Sequence, residues 1–304
     1  MQDRLSRRPF IAAIVALTAA PARAAERAKV VATFSVLGDM TARIAGDKVQ
    51  LRTIVGGDGD CELYQPTAAD ARTVADARLF VMNGLNPRFE PWAEPLLKRA
   101  AFRGTKLVAS QGVNVIVDDR PRGAVKGPQV DQHAWHDPAN GLVYVANIAE
   151  GLARLDAPKA AFYRTQAEGY AGEIRSLDAW AKSELAAVPS AKRRVITSHD
   201  GFEYLARAYD IEVTPARGTV NDTDPSAEEI AKLIQQIRTT KVKAIFIENM
   251  NDPRLIERVA REAGATIGGT LYSDALSKQG GEADTYLKMV RHNVSALKAA
   301  MLKD

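Results

Sequence analysis

Apolar residues follow two rhythms along this chain. Short runs rich in β-branched and other apolar residues at 29–34, 49–55, 79–82 and 106–110 predict strands. Between them, residues 36–44, 66–77 and 88–100 mix apolar and polar positions on a helical period and predict helices. The second half repeats this order, with strands predicted at 194–197, 212–215, 244–247 and 266–272. Helices are predicted at 201–209, 226–240, 253–263 and 284–301. Pro225 and Ser226, followed by Glu228 and Glu229, form a helix-opening signal. Strands alternating with helices indicate parallel sheets flanked by helices.

Between the halves, residues 157–187 read as one long helix of about 46 Å at 1.5 Å per residue, with Gly169 and Gly172 tolerated inside it. That is longer than one lobe needs. The expected fold is α/β, with two lobes, each a mainly parallel sheet flanked by helices, joined by one long spine helix. The expected division is a leader at 1–24, an N-terminal lobe at 25–155, the spine at 156–188 and a C-terminal lobe at 189–304. Residues 120–131, polar and containing Gly and Pro, read as a surface loop.

The leader changes the picture. A basic start precedes an apolar run at residues 10–20, too short to span a bilayer. Ala22, Arg23 and Ala24 then form a small-x-small cleavage site. Residues Ser6, Arg7, Arg8, Pro9 and Phe10 also fit a twin-arginine signal, with an ordinary secretory signal as the alternative. Export to the periplasm by a cleaved signal peptide is expected. No cysteine stands at the cleavage site, so no lipid anchor is expected.

With 304 residues, 46% of them apolar, the chain can bury a full core without staples. The leader's four arginines against Asp3 carry +3 of the net +4, so the remainder, at +1, has no global electrostatic reason to bind nucleic acid. A single cysteine, Cys61, excludes an internal disulfide.

Of the four histidines, His199 stands with certain carboxylates beside predicted strand ends, where open parallel sheets bind ligands. His199 follows the strand at 194–197, and Asp274 follows the strand at 266–272. His133 and His136 precede a helix, and Asp60, Cys61 and Glu62 follow the strand at 49–55. Taken together, these positions suggest an interlobe site with mixed nitrogen and oxygen ligands, suited to a divalent transition metal. His136 reads as a surface residue at a helix start, and His292 as a surface residue of the last helix.

Four motifs in order resemble those of one family. They are Glu62, Tyr64, Pro66 and Thr67 with Asp70; Asp131, His133, Trp135, Asp137 and Pro138; His199 with Phe202 and Tyr204; and Tyr272 with Asp274. With the signal peptide and the long helix, the chain resembles the cluster A-I solute-binding proteins of zinc and manganese ABC importers over nearly all of residues 28–304. It resembles the AztC-type zinc binders most closely. The resemblance implies a periplasmic binding protein, not an enzyme, that captures a divalent metal and delivers it to an ABC importer permease in the inner membrane. Zinc is implied first, with manganese or iron as alternatives, and a periplasmic metal donor protein is a further partner. The implied ligands are His133, His199 and Asp274, with Glu62 at the position where the family usually carries histidine. Three outcomes are open there: Glu62 ligates, Cys61 does, or water fills the place. Two imidazoles and two carboxylates move preference toward harder metals. Unlike many zinc binders, the chain has no histidine-rich loop before His133.

Three rivals stand beside this reading: an adhesin-like binding protein on the same fold, a metal-free accessory protein, and a metallohydrolase with Asp200 or Glu248 as base.

Overall fold

The structure, a computed structural model, describes residues 26–118, 129–216, 227–240, 242, 244–250 and 252–303. The expected signal peptide, most of the expected loop at 120–131 and the expected Pro225–Ser226 helix opening lie outside the described residues.

The first four strands are β1 (Ala28–Phe34), β2 (Val49–Val55), β3 (Leu79–Met82) and β4 (Thr105–Val108). They form one parallel sheet in the order β2-β1-β3-β4. Strand β1 is central and apolar on both faces, so Val30 to Phe34 are buried. Helices α1 (Ser35–Ala45), α2 (Ala68–Ala75) and α3 (Ala93–Arg99) connect these strands. A short antiparallel pair missed in the sequence, β5 (Val117–Asp118) with β6 (Gln129–Val130), follows. Two-residue strands carry too little periodicity to be read.

Helix α4 (Pro138–Leu155) starts where Asp137 caps it, accepting from the Ala139 amide, with Pro138 in the first turn. Helix α5 (Ala160–Ala186) is the spine. It is shorter than expected because Pro158 lies in a 3-10 turn at Ala157–Lys159, and its 27 residues span about 40 Å. The spine packs against α1 and α4 on one side. On the other it meets α6 (Glu203–Tyr209) and α9 (Tyr286–Leu302).

The second sheet comprises β7 (Arg194–Thr197), β8 (Glu212–Pro215), β9 (Ala244–Glu248) and β10 (Thr266–Leu271), ordered β10-β9-β7-β8 and parallel throughout. Helices α7 (Ala227–Thr240) and α8 (Arg254–Ala263) complete that lobe. In each sheet the lobe's first strand lies between its second and third, so both lobes share one topology. The reversal of strand order puts an open crevice beyond the carboxyl ends of β1 and β3, and of β7 and β9. Among the described residues no helix is long and apolar enough to cross a membrane.

Candidate metal centre

The C-terminal crevice receives His199 just beyond β7, Glu248 at the end of β9 and Asp274 just beyond β10. His133 comes from the other lobe. It is set over the N-terminal crevice by Asn83, which follows β3 and donates Nδ2 to the Gln132 carbonyl at 2.9 Å. Tyr144 in turn donates to Asn83 Oδ1 at 2.5 Å, so the segment carrying His133 is held from below.

His133, His199 and Asp274 converge, fully buried, with one ligand atom from each within 4.8 Å of the others. Asp274 Oδ1 lies 3.3 Å from His133 Nε2, and Oδ2 lies 3.5 Å from His199 Nε2. None of these four atoms has a hydrogen-bond partner among the described residues. Buried polar atoms are rarely left so, and four that face one another fit a cation placed between them. Phe89 and Trp135 pack edge-on to the His133 ring, at 6.2 and 5.5 Å between centroids, and exclude water from that side.

Each imidazole has a carboxylate on its far nitrogen. His133 Nδ1 donates to Asp131 Oδ1 at 2.8 Å, and the same oxygen accepts the His133 amide. His199 Nδ1 lies 2.5 Å from Glu248 Oε2, an ion pair set off the ring N–H direction. Both arrangements leave Nε2 facing the centre.

Electrostatics follow from this crowding. Burial opposes protonation of His133, but Asp274 and Asp131 prevail and raise it to about 9. His199 is likewise pushed well up by Glu248 and Asp274 against the cost of its burial. Asp274 is held below the usual carboxylate range by the two imidazoles, although burial alone would raise it. A metal entering at neutral pH therefore displaces protons from both rings. Affinity is expected to rise with pH toward about 9, the value His133 reaches. Calorimetry in buffers of different ionisation heat should show release of about two protons near pH 7; no proton release would contradict this charge state. In the metal-free protein the His133 shift stabilises the fold fully below pH 6.5, and that contribution is lost as pH rises through about 9.

The motifs divide their labour. Asp131 orients His133, while Trp135 Nε1 reaches across to the Ser273 carbonyl at 3.0 Å. Asp137 and Pro138 start α4. In the first motif Thr67 and Asp70 form a capping box on α2, and Tyr64 donates to Asp70 at 2.9 Å. That box fixes the exit of the loop carrying Glu62. Tyr204 spans the lobes, donating to the Asp131 carbonyl at 2.9 Å. At Gly201 a Cβ would come within 2.9 Å of His199 Nε2, so only glycine lets the chain turn this close to the ring.

Glu62 is buried, and its Oε1 accepts from the Gln132 amide at 2.8 Å, one residue from His133. It stands beside the three-residue cluster and is not part of it. Cys61 is a buried thiol, raised well above its ordinary range by burial and by neighbouring carboxylates. It stays protonated and also lies outside the cluster. Its carbonyl accepts from Trp92 Nε1 at 2.8 Å.

Two histidines depart from expectation. His136 is buried, its Nε2 donating to the Ser273 carbonyl at 3.1 Å, and burial beside His133 lowers it to about 3. It is neutral and ties the lobes together. His292 is half-buried, donating Nε2 to the Thr270 carbonyl at 2.9 Å and packing on Tyr272. The sequence also cast Glu248 as a hydrolytic base, but its oxygens are taken by His199 and Ser273. Its place at the end of β9, next to β7 in the sheet, was the available signal for a partner to His199.

Two parallel-sheet lobes meeting over a buried His–His–Asp cluster define a metal-capturing solute receptor. Residues 30–300 match the family of the zinc-uptake complex component A, periplasmic, and the chain belongs to that family. The manganese ABC transporter substrate-binding lipoprotein PsaA of Streptococcus pneumoniae is 30% identical over 282 residues, covering 91% of this chain and 90% of that protein. The iron ABC transporter substrate-binding lipoprotein MtsA of Streptococcus pyogenes serotype M1 is 30% identical, covering 91% and 90%. The periplasmic zinc binding protein TroA from Treponema pallidum superimposes with a TM-score of 0.83 at 27% identity, covering 91% of this chain and 100% of that one. This chain is accordingly a periplasmic solute-binding protein for a divalent transition metal that serves an ABC importer. It is a transport protein and not an enzyme.

Proposed function

We propose that His133, His199 and Asp274 hold one divalent metal between the lobes, with Glu62 as the fourth donor, and that the loaded protein presents this metal to its permease. The four buried, partnerless ligand atoms carry this reading. Glu62 reaches the metal by exchanging its hydrogen bond with Gln132 for a metal–oxygen bond of about 2.0–2.2 Å. Zinc is the first choice, because two neutral imidazoles suit it. Manganese and iron, named for the streptococcal relatives, are served by the two carboxylates. The motif pattern supports a likeness to the AztC-type zinc binders, and a periplasmic donor protein is a further proposed partner. The test is metal analysis of protein purified from periplasm without added metal. One equivalent of a divalent transition metal is expected, and metal-free protein that also fails to bind zinc or manganese in titration would refute the reading.

Release follows from the interlobe ties. Asp58 donates its amide to the Leu276 carbonyl at 2.8 Å and accepts from Asn249 at 2.9 Å, while Leu276 donates to Ser35 Oγ at 2.9 Å. A Cβ at Gly57 would lie 2.3 Å from the Ser277 carbonyl oxygen, so this loop is seated directly on the other lobe. With the spine also packed on both lobes, release proceeds by local distortion at the permease and not by wide opening. Metal-free and metal-bound crystal structures should then superimpose lobe on lobe; a large rigid-body rotation between them counts against this route.

Export is by a cleaved signal peptide. Native protein should begin near Ala25, as N-terminal sequencing reads it; a start at Met1 excludes cleavage. If the route is twin-arginine, replacing Arg7 and Arg8 with lysine blocks export, and if it is the general secretory route the change is silent.

A further inference from the structure

We propose that Glu248 is the positioning residue that fixes His199 and Asp274 as one preassembled half of the metal site. This rests on the ligand assignment above. Three groups converge on the Glu248 carboxylate. The His199 amide donates to Oε1 at 2.9 Å, Ser273 Oγ donates to Oε2 at 2.6 Å, and His199 Nδ1 pairs with Oε2 at 2.5 Å. Ser273 immediately precedes Asp274, so the carboxylate grips both ligand-bearing strand ends at once. It does so from β9, the strand between β7 and β10, the only position in this sheet adjacent to both. Ser273 extends the unit to the other lobe, because its carbonyl accepts from Trp135 and His136.

All of these groups are buried, so the carboxylate has no substitute. Glutamine fills the same volume but has one acceptor oxygen and brings an NH2 that must face a donor, either the His199 amide or the Ser273 hydroxyl and the His199 ring. Aspartate keeps the charge but is one methylene short of spanning both arms. Glu248 has no direct role toward the metal. It sets which nitrogen of His199 faces the centre and holds Asp274 at a fixed distance from it.

The experiment is a competition titration of zinc on the mature chain for wild type, Glu248→Gln, Glu248→Asp, Ser273→Ala and Glu248→Gln/Ser273→Ala, with His199→Ala as control. Glu248→Gln should weaken zinc binding about 10–100-fold, the usual cost of removing a carboxylate behind a ligating histidine. Glu248→Asp should recover part of that loss. Ser273→Ala should weaken binding alone and add little in the Glu248→Gln background, since one carboxylate serves both arms. The visible spectrum of the cobalt-loaded Glu248→Gln protein should differ from wild type, a change that mere loss of stability does not produce. Wild-type zinc affinity in Glu248→Gln, with affinity lost in His199→Ala, overturns the positioning role and leaves the ligand assignment standing. Unchanged affinity in both overturns the ligand assignment itself. If Glu248→Gln does not fold, Ser273→Ala decides: unaltered zinc affinity and an unaltered cobalt spectrum there overturn the proposal.

Discussion

Replacing Asp274 with alanine should lower zinc affinity at least about a hundredfold, or about 2.8 kcal/mol. Asp274 is the one group that faces both imidazoles, at 3.3 and 3.5 Å, and it is fully buried. Without it the proposed donor set falls to two imidazoles and Glu62, and Glu62 must first give up its hydrogen bond with Gln132. The metal-free protein changes as well. The rings of His133 and His199, 5.2 Å apart, lose the negative charge between them, and their mutual repulsion lowers both. Proton release on metal binding near neutral pH should therefore shrink in Asp274→Ala. Asp274→Asn, which keeps the shape and removes the charge, should fall between the two. His133→Ala and His199→Ala should each cost at least about tenfold, with the fold retained because both stand at segment ends beyond the sheets. Competition titrations with a zinc chelator read all four variants. An Asp274→Ala protein that binds zinc within about threefold of wild type would remove Asp274 from the site.

Glu62→His should raise zinc affinity and preference for zinc over manganese, because imidazole suits zinc and carboxylate suits manganese. Glu62 bonds the side chain of Gln132, next to His133, from a loop held by Asp60, whose carboxylate accepts the Glu62 and Leu63 amides. If Glu62 ligates, Glu62→Ala weakens binding of both metals, manganese more. If water fills the place, Glu62→Ala is nearly silent while Glu62→His still gains zinc affinity. Paired zinc and manganese titrations of the three proteins separate these cases. Unchanged zinc affinity in Glu62→His means that the loop does not reach the metal, leaving His133, His199 and Asp274 as the whole site.

These two predictions differ in how far the sequence reached. His133, His199 and Asp274 were legible because each follows or precedes an element whose pattern was strong, and strand ends are where parallel sheets bind ligands. The fourth position was legible as a place in a motif, but not as a geometry. Its carboxylate accepts from the Gln132 side-chain amide, a partner that only the packing of the two loops brings within reach. His136 shows the same limit. Helix-start spacing and a polar side chain suggest solvent, yet the Ser273 carbonyl, from the other end of the chain, accepts a hydrogen bond from its Nε2 in the buried interior.

The sequence by itself determined the alternation of strand and helix, the parallel lobes, the spine and the order of the ligand motifs, because each depends on periodicity and turn chemistry within about 10–30 residues. Element ends shifted by a few residues where proline and capping decide locally, as at Pro158 and Thr67. Tertiary structure alone decided which carboxylate stands behind which histidine, which histidine is neutral, and how the lobes are tied. Those depend on contacts between residues far apart in the chain: Glu248 with His199, Ser273 with Trp135, Asp58 with Asn249. Burial then makes their charge depend on the nearest neighbours: carboxylates raise His133 and His199, whereas burial beside His133 lowers His136.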